Sequence, residues 1–274
     1  MKSKQIIIIV GVIKLLLSAD FALAGCDYDL SAKGSHREVI KTSLGGIGAI
    51  TAWGVYKWDY FDRSTHSVNE GWFGQDTNSG GADKLGHFYT AYIVTHGISK
   101  YYENHCITKD KSVVYGALTS FTVLSYMEFG DAFSDYGFSK EDFLANLVGA
   151  AYGYYSYTHP SLANKLDFRW EYGLNPQSSD LFTDYENSKY LFALKLNGFS
   201  EVKDTFLKHL ELHLGYYTRG YDDPLHENTR NLYIGLGFNL SDYFYRREHQ
   251  KTATFLRYYQ PPGLYVAHNK ELAQ

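Results

Sequence analysis

Asp83, Lys84 and His87 stand together in GGADKLGHFYTAY (80–92), in the first turns of a stretch whose pattern predicts an apolar helix. Residues four apart share a helix face, so the Asp83 carboxylate and the His87 imidazole can meet. A carboxylate there can satisfy free N–H groups and complement the helix dipole. Beside an imidazole, it can orient the ring for proton transfer or metal binding. A second set follows in EFGDAFSDYGFSKEDFLAN (128–146). Glu128 and Asp131 are three residues apart at the end of an uncharged helix, and Asp135 lies in the turn. Ser139 reads as a helix N-cap with Asp142 at its third position, and Asn146 follows a turn later.

Helix ends meet in antiparallel bundles with short loops. Asp83, Lys84, His87, Glu128, Asp131, Asp142 and Asn146 are therefore expected to line one polar pocket. Two or three carboxylates with one histidine could bind a divalent metal, with His87, Glu128 and Asp131 as candidate ligands, or run acid–base chemistry. They could equally form an internal hydrogen-bonded network that fixes the bundle. His209-x-Glu211-x-His213 is a third arrangement. On a strand these three share a face, a possible zinc spacing, against the plainer reading that polar residues fill the outward face of an amphipathic strand. No nucleophile elbow, P-loop, zinc-finger spacing or dinucleotide fingerprint occurs.

The elements that must position these groups fall into two kinds. Helices are expected over 38–58, 82–102, 111–129 and 140–157, with a polar and aromatic loop at 59–81. TSLGGIGAITAWGVY (42–56) carries no charge, and its glycines, like Ala145, Gly149 and Gly153 further on, allow close helix–helix approach. None of the four reaches the length of continuous apolar sequence a spanning helix needs. That leaves a water-soluble bundle, or a compact one seated partly in a membrane, whose interior polar groups would be costly and hence functional.

Beyond Pro176 the period changes to two. KYLFALKLNGF (189–199), TFLKHLELHLGYYTRG (205–220) and NLYIGLGFNLS (231–241) alternate apolar with polar or small residues. Three such strands make an antiparallel meander that must lay its apolar face on helices or lipid, and they are too few to close a barrel. Residues 242–259 read as a helix ended by QPPG. The expected fold class is α+β, mainly helical: a four-helix bundle-like core, then a three-stranded antiparallel meander and a C-terminal helix. The expected organisation is a helical domain over 38–175, a meander with its helix over 176–260 packed on it, and a tail over 261–274.

The N-terminus reads as an export signal over 1–25. Lys2 and Lys4 precede an apolar run, broken by Lys14, that ends in SADFALAGC (18–26). Ala22-Leu23-Ala24 fits ordinary signal peptidase. Leu23-Ala24-Gly25-Cys26 fits a lipobox, which makes Cys26 the lipidated first residue, followed by a linker to residue 37. Membrane lipid at Cys26 is then the partner the sequence names. It places the chain on the periplasmic face of the inner or the outer membrane. If Cys26 carries no lipid, a disulfide with Cys106 is open in an oxidising compartment. A formal charge of -4 gives no case for nucleic acid. The 26 tyrosines suit half-wet surfaces and membrane interfaces, and Tyr-rich strands equally.

WFGQDTNSGGADKLGHFYTAY (72–92), EFGDAFSDYGFSKEDFLANLVGAAYG (128–153), LELHLGYYTRGY (210–221) and NLYIGLGFNLS together resemble the YfiM-like family of predicted periplasmic lipoproteins, over roughly residues 35 to 260. The resemblance implies export and lipidation, and an uncharacterised domain without an established activity. The D-K-x-x-H-F start (83–88) is also similar to VanZ-like membrane proteins. The expected function is a lipid-anchored cell-envelope protein with a structural or ligand-binding role at a membrane surface. One alternative is a metal-assisted hydrolase of lipid- or glycan-linked phosphate, with His87 as base or ligand and Glu128, Asp131 and Asp142 as ligands. The other is a membrane-embedded helical helper of VanZ-like character.

Overall fold

The long apolar stretches fold as helices and the alternating ones as strands, giving an α+β, mainly helical fold. The computed structural model describes residues 32–173, 183–222 and 226–273. The export signal, both cleavage readings and Cys26 lie outside the described residues. Four long helices come first: α1 (Ala32–Lys57), α2 (Ala82–Asn104), α3 (Lys109–Asp131) and α4 (Lys140–Thr158), with a short α5 (Pro160–Ala163) after them. Five strands follow: β1 (Leu166–Tyr172), β2 (Ser188–Lys195), β3 (Leu210–Arg219), β4 (Thr229–Phe238) and β5 (Tyr265–Glu271). The chain divides into two units.

The first unit holds the described residues up to His66, with Ala91–Phe138 and Ala150–Thr158. Small residues let its helices approach closely, and short polar side chains tie them together. A Cβ at Gly116 would come within 2.2 Å of Ser99 Oγ, and one at Gly153 within 2.7 Å of Thr95 Cβ. Ser120 Oγ donates to the Ala91 carbonyl at 3.0 Å, and the Tyr102 and Thr119 hydroxyls are 3.0 Å apart. Ala91, Leu124 and Ala150 form the apolar core, with Phe121 and Met127 against it. Among the described residues no helix is long and apolar enough to cross a membrane. Cys106, in the turn after α2 at φ 62°, is disulfide-bonded.

The second unit holds residues 67–90 and 139–149 and the described residues from His159 onward. Its sheet is antiparallel in the order β1-β2-β3-β4-β5. The free edge of β1 takes up Tyr258–Gln260. The Trp170 N–H donates to the Tyr258 carbonyl and the Gln260 N–H to the Trp170 carbonyl, both at 2.9 Å. Only residues 261–264 separate this segment from Tyr265, which opens β5 at the far edge. Five residue steps span at most about 18 Å, whereas five flat inter-strand gaps need about 24 Å. The sheet must therefore curl, and Lys189 of β2 reaches the Tyr265 hydroxyl of β5 at 3.1 Å.

The direction of the curl reverses one expectation. Polar residues of the meander were expected outward, yet Glu211 and His213 are 0 % and 1 % exposed, while Leu214 and Ile234 are 53 % and 67 % exposed. Alternation tells which residues share a face, not which face is inside. Over β1 and β2 the apolar outer face is covered by the first turns of α2. Phe88 packs edge-on against Phe168 at 4.9 Å, and Tyr89 lies against Phe168, Trp170 and Tyr190.

The three expected strands are the middle three of five. The first, LDFRWEY, alternates charged with aromatic residues, and the fifth lies in the stretch read as a tail. The expected C-terminal helix is two short ones, α6 (Leu240–Tyr245) and α7 (Gln250–Phe255). Between them the chain turns at Glu248, whose φ is 63°.

Candidate functional site

Two glycines set the start of α2. Gly80 and Gly81 have φ of 61° and 86°, which other residues rarely adopt. The Gly80 carbonyl accepts from the Tyr216 hydroxyl of β3, which fixes the turn on the sheet. Asp83 and Lys84 then fall in the first turn, buried against the same unit. At the start of α4, Ser139 Oγ accepts from the Asp142 N–H at 3.2 Å, the N-cap the sequence led one to expect. That cap turns the Asp142 carboxylate toward Lys84.

Lys84 is the centre of the arrangement. Its Nζ lies 2.5 Å from Glu70 Oε2, 2.6 Å from Asp83 Oδ2 and 3.0 Å from Asp142 Oδ1. The Lys84 N–H also donates to Asp83 Oδ1 at 2.9 Å, so both Asp83 oxygens accept from this one residue. His87 Nε2 is 3.8 Å from Asp142 Oδ1, and Asn146 is fully buried a turn further along α4. Glu70, Asp83 and Asp142 each bring an oxygen within 4.8 Å of the others, and they are the one group of this kind among the described residues.

Burial works against the Lys84 charge, but the Asp83 and Asp142 carboxylates outweigh it and hold the ammonium protonated well above the ordinary lysine range. Burial raises both Asp142 and Glu70, and their mutual hydrogen bond then drives them apart. Asp142 is pushed up to about 6: burial raises it most, the His87 charge opposes this, and the bond to Glu70 adds to it. Glu70 is held at about 2, because the bonds from Asp142 and Lys84 override its burial. As pH falls, the proton therefore goes to Asp142 first. Tyr185 and Tyr190, which a Cβ at Gly86 would meet at 2.9 Å, stand beside the group. Burial pushes both phenols up, and the nearby carboxylates add to it.

The structure thus brings Asp83, Lys84, His87 and Asp142 together in one unit, with Asn146 in the same unit. Glu128 and Asp131 belong to the other. There they gather around Tyr60, which is 3 % exposed and donates to the Met127 carbonyl at 3.0 Å. Burial pushes the Tyr60 phenol up, and the Asp131 and Glu128 charges add to it. Asp135 pairs with Arg63 at the surface. Of the candidate metal ligands His87, Glu128 and Asp131, none is in the three-carboxylate group. Glu70 is the member that sequence reasoning missed: it sits in a polar loop, where no periodicity marks it.

The His209, Glu211 and His213 spacing does not form a ligand set. His209 ends a 3₁₀ turn (Phe206–His209), and the strand begins after it. Glu211 is forked by Arg169 at 2.6 and 2.9 Å and lies 2.9 Å from His213 Nε2. Arg169 Nη2 also bonds Asp167 at 3.1 Å, and Asp167 takes Lys195 at 2.7 Å. All five side chains are buried inside the curl. Burial would raise both carboxyls, but Lys195 and Arg169 hold Asp167 low, and Arg169 and His213 hold Glu211 low. This balanced ion cluster shares the interior of the sheet with buried Leu191, Ala193 and Tyr233.

Residues 69–158 match the model of the DUF2279 family, described as predicted periplasmic lipoproteins. That segment contains every residue of the Lys84 group. The description agrees with an exported cell-envelope protein, lipid-anchored at a membrane face. No curated protein and no solved structure matches the chain.

Proposed function

We propose that this protein serves the cell envelope from the periplasmic face of a membrane in a structural or binding role, and that the Lys84 group organises its fold rather than catalysing a reaction. One observation carries this reading. The place a divalent ion would take among Glu70, Asp83 and Asp142 is held by the chain's own ammonium, at 2.5 to 3.0 Å from each carboxylate. A buried, threefold-paired ammonium is strongly held, since breaking it up would leave the carboxylates uncompensated. Lys84 itself is 3 % exposed, and Tyr185 and Tyr190 pack against Gly86, two residues further along α2.

The second reading, a metal-assisted hydrolase of lipid- or glycan-linked phosphate, draws on the three carboxylates and on His87 beside Asp142. It requires Lys84 to move aside. A membrane-embedded helper draws no support from the helices, none of which among the described residues is long and apolar enough to span.

Elemental analysis and a phosphate-ester assay on purified protein, with wild type and His87→Ala side by side, test the proposal. The structural reading expects no stoichiometric metal, no metal-dependent turnover, and a lower melting temperature in His87→Ala. One metal per chain, with turnover lost in a His87→Ala protein that melts normally, would replace it with the hydrolase.

A further inference from the structure

The curled sheet has its polarity reversed relative to a sheet that faces water on its outside. Inside, beside an apolar cluster of Leu191, Ala193 and Tyr233, lie Asp167, Arg169, Lys195, Glu211 and His213, all buried. Outside, in one register, Leu194 lies beside Leu212, Leu212 beside Leu236 and Leu236 beside Val266. In the next row Phe192 lies beside Leu214, and Leu214 beside Ile234. The first turns of α2 cover this face over β1 and β2, and Tyr216 and Thr218 of β3 are buried as well, but around Leu212, Leu214, Ile234, Leu236 and Val266 it is open, with Val266 81 % exposed. A one-residue slip of register would send the leucines inward and the charges to water. The chain instead desolvates two carboxylates and two cations, which is reasonable where the medium outside is apolar. Lipid-facing antiparallel strands have this pattern.

We propose that the open outer face of β3–β5 is a membrane-seating surface that lies in the hydrocarbon edge of the bilayer. This rests on the envelope reading above and specifies how the second unit meets the membrane. Two features favour lipid over other occupants. One end of the face is rimmed by exposed Phe206, Phe238, Tyr243 and Tyr245, the side chains that settle at the headgroup level. At the same end Arg247 stacks on Tyr243 at 3.6 Å, a cation beside an aromatic ring where lipid phosphates would lie.

The test uses the full mature chain made without its export signal, so that no lipid is attached. It is floated with vesicles of phosphatidylethanolamine and phosphatidylglycerol, and separately with phosphatidylcholine. We expect the chain to float with both. Leu214→Asp with Ile234→Asp should lower the floated-to-free ratio at least about tenfold with an unchanged melting temperature, since both positions are exposed. Thr254→Asp, on exposed α7, should leave it unchanged. Absence of flotation, or flotation indifferent to the double substitution, would overturn the proposal. A dimer in solution that the double substitution dissociates, with no vesicle binding, would give the face to a second copy and overturn it as well. The anchor itself is read separately, by palmitate labelling in cells. A chain that labels but does not float refutes the seating surface alone, and one that floats but never labels refutes the anchor alone.

Discussion

Arg169→Met removes the guanidinium that forks onto Glu211 inside the curled sheet. Asp167 keeps Lys195 at 2.7 Å, with Arg257 at 3.6 Å, whereas Glu211 is left with the His213 imidazole at 2.9 Å. Glu211 is 0 % exposed, so its charge cannot turn to water for relief. Removing one partner of such a buried pair costs about 3–5 kcal/mol. At about 2–4 °C per kcal/mol for a chain of this size, the melting temperature should fall by about 6–20 °C.

The pH dependence carries the sharper test. In wild type Glu211 is held below its ordinary value, so its contribution is present above the unfolded pKa and is lost as pH falls through the folded one. Without Arg169 the carboxyl rises, so the deficit of the variant should be largest at pH 7 and should narrow toward pH 4. Urea titrations followed by circular dichroism at the two pH values measure both. Adding Glu211→Gln to Arg169→Met should recover a substantial part of the loss at pH 7. A loss under about 1 kcal/mol that does not change with pH would mean that water, not Arg169, compensates Glu211, and the reversed sheet would need another explanation.

Two further outcomes follow from the same groups and from the cysteines. Asp142 is raised to about 6 against an ordinary 3.8, so its contribution is complete below pH 4 and is lost as pH rises through 6. That is at most about 3 kcal/mol between pH 4 and 7, and Asp142→Asn should flatten this part of the stability profile. A wild-type profile level over that range would refute the shift. The chain's two cysteines are Cys26 and Cys106, and Cys106 is disulfide-bonded. A lipid thioether on Cys26 and a disulfide within one chain compete for the same sulfur. Palmitate-labelled molecules should therefore alkylate at Cys106 without reduction, and unlabelled ones only after it. Labelled monomers whose Cys106 needs reduction would contradict the exclusion.

The helices were legible because their apolar runs are long and bounded. Ser139 and the Gly80-Gly81 pair mark two of the starts, and the uncharged run from Ser112 to Met127 fills most of α3. The strands β2 to β4 were legible for the same kind of reason, a clean period of two. β1 was not, because LDFRWEY puts Asp167, Arg169 and Glu171 on its inner face, where a reader expects apolar residues. The same inversion hid the role of Glu211 and His213. A local pattern fixes which side chains travel together; a long-range partner such as Arg169, 42 positions earlier, decides that they go inside. At the candidate site, Asp83, Lys84, His87 and Asp142 were identified from helix-end spacing. Glu70 was not, because its place depends on how a loop folds back onto Lys84, and Glu128 and Asp131 turned instead to Tyr60 within their own unit.

Thermal unfolding with and without millimolar Ca²⁺ tests most directly whether Lys84 stands where a metal would otherwise bind. Wild type should melt at the same temperature in both. Lys84→Met should melt several degrees lower and be partly restored by Ca²⁺, which would then compensate Glu70, Asp83 and Asp142 in place of the ammonium. A wild-type protein stabilised by the ion, with a Lys84→Met variant indifferent to it, would show that the group binds metal with Lys84 present and would contradict the account.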